Sequence, residues 1–420
     1  MKISNLKLGF LWLVGSSLLV KLLGIFRESL IAYHFGSSQT FSSFNTLRSG
    51  VEFLMAFVVS TQIVEGMLVP MYSSEFRMNE NVSFRILLIN SKKIGLILFV
   101  VVFTLLMLIA YYKGFDILNS FLISFSLSTL LSLYSMNIIY FAIQKIMGKF
   151  KIYSLQILLN SILAFTILYF TIPTLSIHAI PVSIICSLLV SNYLLIKRVN
   201  FAIQPDNEIT DVNYNNLNWY SFFALNHWAY IGFMGKVLIG LENSNNINYY
   251  HYSFTILYAY MAIVISNLST VVVYKSSTSK LFNSLKLTMI GTFMSATSMY
   301  ILFYIFGVQL IEILFKRGNF NQQDVINTSL FLRKFIFPFS IFAVTQLLLQ
   351  PLLNKDDKVV KNILKTISII LLISTFLCFS YSLTTKNFVV GLSLFLNAPP
   401  VIILFYLIKC TFPKIWGLTT

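Results

Sequence analysis

Charged side chains are scarce in this sequence, at 10% of its 420 residues. Soluble domains carry about 25% charged residues. Hydrophobic residues make up 57% of the chain, and its mean hydropathy is +0.80. A chain with so little charge lacks the polar surface of a soluble domain, so the composition predicts an integral membrane protein.

Cysteines, histidines and nucleotide-binding motifs are also few or missing. No G-x-x-x-x-G-K-[ST] loop occurs, because GFMGK at 232–236 has the wrong spacing, and so no ATP-driven engine is predicted. The cysteines and histidines stand singly on separate segments, which predicts no disulfide framework and no metal site. These residues are Cys186, Cys378, Cys410, His34, His178, His227 and His251. We interpret them as packed or interfacial side chains and expect no cofactor.

Long apolar stretches recur along the chain, each long enough to cross about 30 Å of hydrocarbon as a helix. They predict an all-α polytopic membrane protein with about twelve transmembrane helices. The predicted spans are 8–34, 47–73, 94–112, 116–142, 152–173, 177–196, 217–240, 248–273, 287–308, 331–353, 362–381 and 387–409.

The net charge of +16 is explained by where the basic residues lie. An even number of spans puts both termini on one side, and most lysines and arginines outside the spans fall on that side. The opposite loops hold only Lys113, Lys316, Arg317 and Lys386. This positive-inside bias predicts cytoplasmic termini, and it removes the main argument for nucleic-acid binding.

The polar stretch 197–216 separates six predicted spans from the next six. We therefore predict an N-terminal lobe at 1–196, a cytoplasmic linker at 197–216 and a C-terminal lobe at 217–420. A faint repeat supports two parallel halves related by a pseudo-twofold axis. It pairs LVPMYSSEFR (68–77) with VVVYKSSTSK (271–280), and MGKFKIYSLQILLNSI (147–162) with LNKDDKVVKNILKTI (353–367). Such a repeat favours a substrate site between the lobes.

Several ionisable residues lie inside the predicted spans, where each charge costs at least about 2.5–3.5 kcal/mol at the bilayer centre. They are Lys21, Arg27, Glu28, Arg48, Glu52, Glu65 and Lys236. Lys21 lies near mid-membrane, seven residues before Glu28 and on the same helix face. We predict that all of these residues except Glu65 supply the charges of a substrate cavity. Gly24 is predicted to act as a hinge in the first span.

A structural role is the alternative for each of these residues. Lys21 and Arg27 could form buried ion pairs with Glu28, Glu52 or Glu65, and Arg48 and Glu52 have the i,i+4 spacing of an ordinary helical pair. Gly24 could instead permit close helix packing. Arg333 and Lys334 begin the tenth span, where extension of the side chain toward the interface suffices to explain them.

Three stretches resemble the MurJ (MviN) lipid II flippases of the multidrug/oligosaccharidyl-lipid/polysaccharide exporter superfamily. They are KLLGIFRESLIAYHFG (21–36), LVP (68–70) and LFKRGNFNQQD (314–324). The resemblance implies two six-helix lobes in a V-shaped, alternating-access carrier with a broken first helix. It implies that Lys21 and Arg27 occupy basic positions of the first helix, that Glu28 occupies an acidic one, and that Lys236 occupies a basic position of the seventh.

The chain also departs from this family. VEFLMAFVVSTQ (51–62) and HYSFTILY (251–258) lack the arginine of the second helix and the Ala-Asp-Arg of the eighth, and Arg48 is out of register with the former. The sequence predicts no span after the twelfth, whereas two further C-terminal helices are common in lipid II flippases. These differences leave the substrate open between lipid II and an O-antigen or capsule repeat unit, as moved by Wzx-type flippases.

The resemblance implies a monomeric carrier in the bacterial cytoplasmic membrane. It would contact membrane lipids and move a polyprenyl-pyrophosphate-linked glycan outward, driven by membrane potential or a monovalent coupling ion. A cation-coupled multidrug exporter is one alternative, although it would favour an acid-dominated cavity. A membrane glycan polymerase or ligase is another, but the outer loops offer only scattered carboxylates. These are Asp116, Glu242, Glu312 and Asp324.

Overall fold

The chain is helical wherever the structure, a computed structural model, describes regular elements. The described residues are 3–57, 85–146, 149–199, 220, 223–224, 227–242, 245–265, 281–352 and 357–411. The helices are α1 (Ile3–Phe35), α2 (Gln39–Phe57), α3 (Arg85–Tyr112), α4 (Ile117–Ile146), α5 (Phe150–Leu175), α6 (Ala179–Val199), α7 (His227–Gly240), α8 (Asn246–Tyr260), α9 (Leu281–Tyr300), α10 (Gly307–Phe315), α11 (Gln322–Leu352), α12 (Asp357–Thr385) and α13 (Phe388–Thr411). Each predicted span coincides with helix in its described part, so the prediction of an all-α fold with about twelve spans is confirmed.

The protein is a multi-pass membrane protein. Within the described ranges, six helical segments are long and apolar enough to cross a membrane, or up to seven if a bent pair forms one span. That pair bends by 68° between α9 and α10, after π-helical residues Ile301–Ile305. A π-bulge is a known cause of such a kink, and the ninth span consequently does not end as a straight helix at 308. Apolar side chains such as Leu108 and Phe293, which are 70% and 73% exposed, suit a lipid-facing surface.

The chain divides into two compact units that interleave along the sequence. The first unit comprises Met1–Leu30 and Leu47–Asn218, and the second comprises Ile31–Thr46 and Trp219–Thr420. In the first unit, α3 packs along α4, and α6 packs against both α4 and α5. In the second, α11 packs against α8, α9, α10 and α13, and α13 also contacts α7 and α12.

The end of α1 and the start of α2 belong to the second unit, whereas the sequence placed them in the N-terminal lobe. Backbone contacts explain this difference. The Asn319 amide N–H donates to the Tyr33 carbonyl at 2.9 Å, and the Asn319 side chain donates to the His34 carbonyl. Gly36 and Gly318 have φ of +52° and +55°, and a Cβ at either would collide with the backbone of Asn319 or Tyr33 respectively. Hydropathy carries no information on such contacts.

Further predicted features lie outside the described residues. Glu65, the LVP stretch at 68–70, most of the linker at 197–216, and the repeat segments 68–77 and 271–280 belong to this group. They stay predictions.

Candidate functional site

Four charged side chains on α1 and α2 meet in the first unit and form what we call the charged cluster: Arg27, Glu28, Arg48 and Glu52. Arg48 is its centre. Its Nη2 donates to Glu28 Oε1 at 2.8 Å, and its Nε donates to Glu52 Oε1 at 2.8 Å. Arg27 Nη2 donates to the same Glu28 oxygen at 3.0 Å. The Arg48 guanidinium thus joins α2 to α1 through Glu28 and also binds Glu52 of its own helix.

The local sequence explains this geometry. Arg48 and Glu52 are four residues apart on α2, which places them on one helix face. Only residues 36–38 connect α1 to α2, and Glu28 and Arg48 lie about two to three turns from this connection on their respective helices. Glu28 and Arg48 therefore lie at the same height along the two helices. The predicted Arg48–Glu52 pair within α2 is joined by an Arg48–Glu28 bond between α2 and α1.

The charged cluster balances two cations with two carboxylates. Glu28 is 2% exposed and Arg48 is 7% exposed, so both depend on their partners for stabilisation in an apolar setting. The Arg27 side chain is 25% exposed. Its Nε is buried and has no hydrogen-bond partner within the part of the chain that the structure describes. Arg27 is the more exposed of the two cations of the cluster.

Lys21 and Gly24 lie earlier on α1. Lys21 is half-buried and lies about 10 Å along the helix from Glu28. Helix α1 is unbroken through Gly24, and no described atom lies within 4 Å of the position that a Cβ would take there. Close packing against Gly24 is therefore absent among the described residues, and its role as a hinge stays a prediction.

Lys236 of α7 is enclosed in the second unit and is 2% exposed. Its Nζ lies 2.8 Å from Nδ1 of His251 on α8. The same ammonium lies 5.4 Å from the centre of the Phe254 ring and 5.6 Å from that of Phe233. An imidazole acceptor and two aromatic faces thus surround this cation. The structure brings together four of the predicted charges on α1 and α2, and Lys236 belongs to the second unit.

Several solved structures have a similar arrangement of helices. Similarity extends to the structure of lipid II flippase MurJ in an inward closed conformation, with a TM-score of 0.72 and 16% identity over 94% of this chain and 86% of that one. An inward-facing multidrug resistance MATE transporter of the MOP superfamily matches with a TM-score of 0.60 and 11% identity, covering 97% and 98% of the two chains.

A MOP-superfamily transporter from Pyrococcus furiosus, described as having a binding pocket of reverse polarity, matches with a TM-score of 0.58 and 10% identity over 96% and 95% of the chains. The chain has the fold of the MOP-superfamily transporters. No protein-family model and no curated protein sequence matches the chain. At these identities the likeness establishes the MOP fold, and the chemistry of the site depends on this chain's own residues.

Sequence reasoning on this MOP-fold chain missed the role of His251, which it treated as a packed histidine. Asn248 lies one turn earlier on the same face of α8, and its Oδ1 accepts from Asn45 Nδ2 at 2.8 Å. Ser42 donates to Asn245 Oδ1 at 2.9 Å in the same region. A signal was available, because an Asn and a His spaced i,i+3 within an apolar span mark a polar helix face.

The scattered outer-loop carboxylates all have partners. Asp324 is 2% exposed and begins α11 with a reciprocal cap, in which its Oδ2 accepts from the Asn321 N–H at 3.0 Å and its own N–H donates to Asn321 Oδ1 at 3.0 Å. Glu242 accepts from Asn246 at 2.9 Å. Glu312 pairs with Lys316, and Asp116 accepts from Asn119. Each carboxylate thus has a local structural contact.

Proposed function

We propose that the protein is a flippase that moves a polyprenyl-(pyro)phosphate-linked oligosaccharide from the inner to the outer leaflet of a bacterial cytoplasmic membrane. The similarity to MurJ, with a TM-score of 0.72 over 94% of the chain, supports this proposal. The MATE structures that match have lower TM-scores, such as 0.60 and 0.57. The glycan in this proposal is lipid II or an O-antigen or capsule repeat unit.

The observation that carries the proposal is the state of Arg27. A pyrophosphate needs donors that are charged and still available, and arginine is well suited to such anions. Arg27 is the partly exposed cation of the charged cluster, with 25% side-chain exposure against 8% for Arg48. Lys21 adds a second cation on α1. In the proposed mechanism these two side chains bind the anionic headgroup, and the Glu28–Arg48–Glu52 bonds hold Arg27 in position.

A multidrug exporter of organic cations is the alternative. Such a carrier needs an available carboxylate near the binding site. Glu28 and Glu52 of the charged cluster both accept hydrogen bonds from Arg48, so their charge is already compensated. The charged cluster therefore favours an anionic headgroup over an organic cation.

A membrane glycan polymerase or ligase is a weaker alternative. General acid–base chemistry needs a carboxyl or imidazole group within reach of substrate. Asp324 is committed to capping α11, and the other outer-loop carboxylates have neighbouring partners. We accordingly propose a transporter that works as a monomer and draws on membrane potential or a monovalent ion gradient.

Complementation of a flippase-depleted bacterial strain tests the proposal. We expect Lys21→Ala and Arg27→Ala to reduce rescue strongly at normal protein levels, and Arg333→Ala, a cation at the start of the tenth span, to rescue like the parent. Full rescue by both α1 variants contradicts the proposed headgroup site. Identification of the lipid-linked glycan that accumulates on the inner leaflet after depletion distinguishes lipid II from a repeat unit. Drug hypersensitivity without such accumulation supports the exporter instead.

A further inference from the structure

A small cavity lies within the second unit. Its volume is about 120 Å³, and it is formed by α11 and α13. The side chains that matter here are Lys334, Ser393 and Asn397, with Phe331, Phe335 and Leu392 among its apolar walls. Both helices begin at the predicted outer side, and the cavity lies within their first half. It therefore belongs to the predicted outer leaflet.

Lys334 brings a positive charge to the cavity. Its Nζ lies 5.5 Å from the centre of the Phe331 ring, one turn toward the start of α11. Lysine stems on a helix lean toward the N-terminus, so this direction follows from α-helical geometry. The preceding residue, Arg333, is turned about 100° around the helix, and its guanidinium lies 5.6 Å from the Tyr304 ring. Of these two adjacent cations, only Lys334 lines the cavity.

Two neutral donors of α13 accompany the ammonium. Ser393 and Asn397 are four residues apart and share one face of the helix. Asn397 Nδ2 donates one N–H to the Ser393 carbonyl at 2.7 Å. An amide nitrogen carries two N–H groups, and a serine hydroxyl can donate as well as accept. None of the residues that line the cavity is acidic, so its formal charge is positive.

A positive charge, a hydroxyl and an amide beside phenylalanine and leucine walls suit an anion with an apolar tail. A cation would meet repulsion from Lys334, and a fully apolar molecule would leave the polar groups without partners. We propose that this cavity binds the phosphate group of a lipid in the outer leaflet. Two lipids present that chemistry: a resident anionic phospholipid, and the prenyl phosphate of a lipid-linked glycan. The inference does not require the proposed function, since a phospholipid alone would satisfy it.

Lipid binding to the purified full-length protein in detergent tests this inference, read by native mass spectrometry. The probes are phosphatidylglycerol, diacylglycerol with the same chains, undecaprenyl phosphate and inorganic phosphate. We expect phosphatidylglycerol to bind and diacylglycerol to bind much more weakly. Lys334→Gln should weaken binding about tenfold, because a hydrogen bond to a charged group is lost. Asn397→Leu, which removes a donor, should weaken it less.

Arg333→Gln is the matched control and should bind phosphatidylglycerol like the parent. Equal weakening by Arg333→Gln and Lys334→Gln overturns the site, because it indicates a general surface attraction. Equal binding of diacylglycerol and phosphatidylglycerol also overturns it, as does binding of inorganic phosphate as tight as that of the lipids. Displacement of phosphatidylglycerol by undecaprenyl phosphate, abolished by Lys334→Gln, supports one site for both lipids. None of these readouts depends on transport, so failure of the flippase proposal is recognised separately.

Discussion

Arg48 in the first unit and Lys236 in the second are both almost fully buried, but their charges are stabilised differently. Arg48 forms hydrogen-bonded ion pairs with two carboxylates on two helices. Lys236 has an imidazole nitrogen at 2.8 Å and two aromatic rings within 6 Å. The first arrangement compensates a full charge with full charges. The second includes an imidazole nitrogen and the faces of two aromatic rings, which are weaker partners than a carboxylate.

This difference bears on what each cation can do. Arg48 is held by Glu28 and Glu52, and its contribution is to join α1 to α2. Arg27 shares Glu28 but retains an Nε donor without a partner in the described residues. Lys236 lies deep in the second unit, so its predicted role in contacting substrate requires a change in its surroundings. For the proposed function, this difference favours Arg27 and Lys21 over Lys236 as the side chains that bind the anion.

Replacing Arg48 should have the largest effect on stability. Arg48→Gln removes the buried partner of Glu28, and breaking a buried pair typically costs about 3–5 kcal/mol. We expect strongly reduced expression and a correspondingly lower resistance to unfolding by SDS in mixed micelles. The double variant Glu28→Gln/Arg48→Gln should recover part of this loss, since the almost fully buried Glu28 side chain then carries no charge. Additive losses would contradict a direct coupling between the two side chains.

Disrupting the Lys236–His251 contact should cause a smaller loss of stability. His251→Leu removes one acceptor of a buried ammonium, which costs about 1–3 kcal/mol. Lys236→Met/His251→Leu should be more stable than His251→Leu alone, because the buried charge is also removed. Unfolding curves of the two variants and the parent check this order. A double variant less stable than His251→Leu would show that the lysine is stabilised chiefly by other contacts.

Arg27→Gln should separate function from stability. Arg27 is partly exposed and Glu28 keeps its bond to Arg48, so we expect a loss of less than about 1 kcal/mol. Complementation should nevertheless fall strongly if Arg27 binds the headgroup. Arg48→Gln has the opposite profile, because it lowers the amount of folded protein. Rescue per folded molecule, measured for both variants, distinguishes the two roles.

Hydropathy was sufficient to predict the fold because each span must satisfy its own backbone in lipid, which leaves helices as the solution. The kink between α9 and α10 and the assignment of Ile31–Thr46 to the second unit were not predictable in this way. The first depends on a π-helical stretch. The second depends on Gly36 and Gly318 meeting the backbone of distant residues. Both features depend on tertiary packing, which cannot be predicted from the hydropathy of a segment.

The candidate site was predictable where contacts are local. The Arg48–Glu52 pair follows from i,i+4 spacing. The Arg48–Glu28 bond joins residues 20 apart, and the Lys236–His251 contact joins residues 15 apart on different helices. Sequence reasoning identified Lys236 as an unusual charge but had no means of choosing its partner. Depth in the membrane indicates that a partner must exist, whereas tertiary packing determines which residue it is.

Gly24→Ala should have the smallest effect on stability, and with the opposite sign. Alanine favours an uninterrupted helix by about 0.5–1 kcal/mol over glycine, and no described atom would contact the new Cβ. If α1 bends at Gly24 during transport, the variant should resist unfolding slightly better than the parent and yet complement less well. Equal complementation together with higher stability would exclude a hinge at this position. This change leaves the charged cluster, including Arg27, unaltered. A loss of complementation would therefore indicate that α1 must bend during transport, because the headgroup site itself is intact.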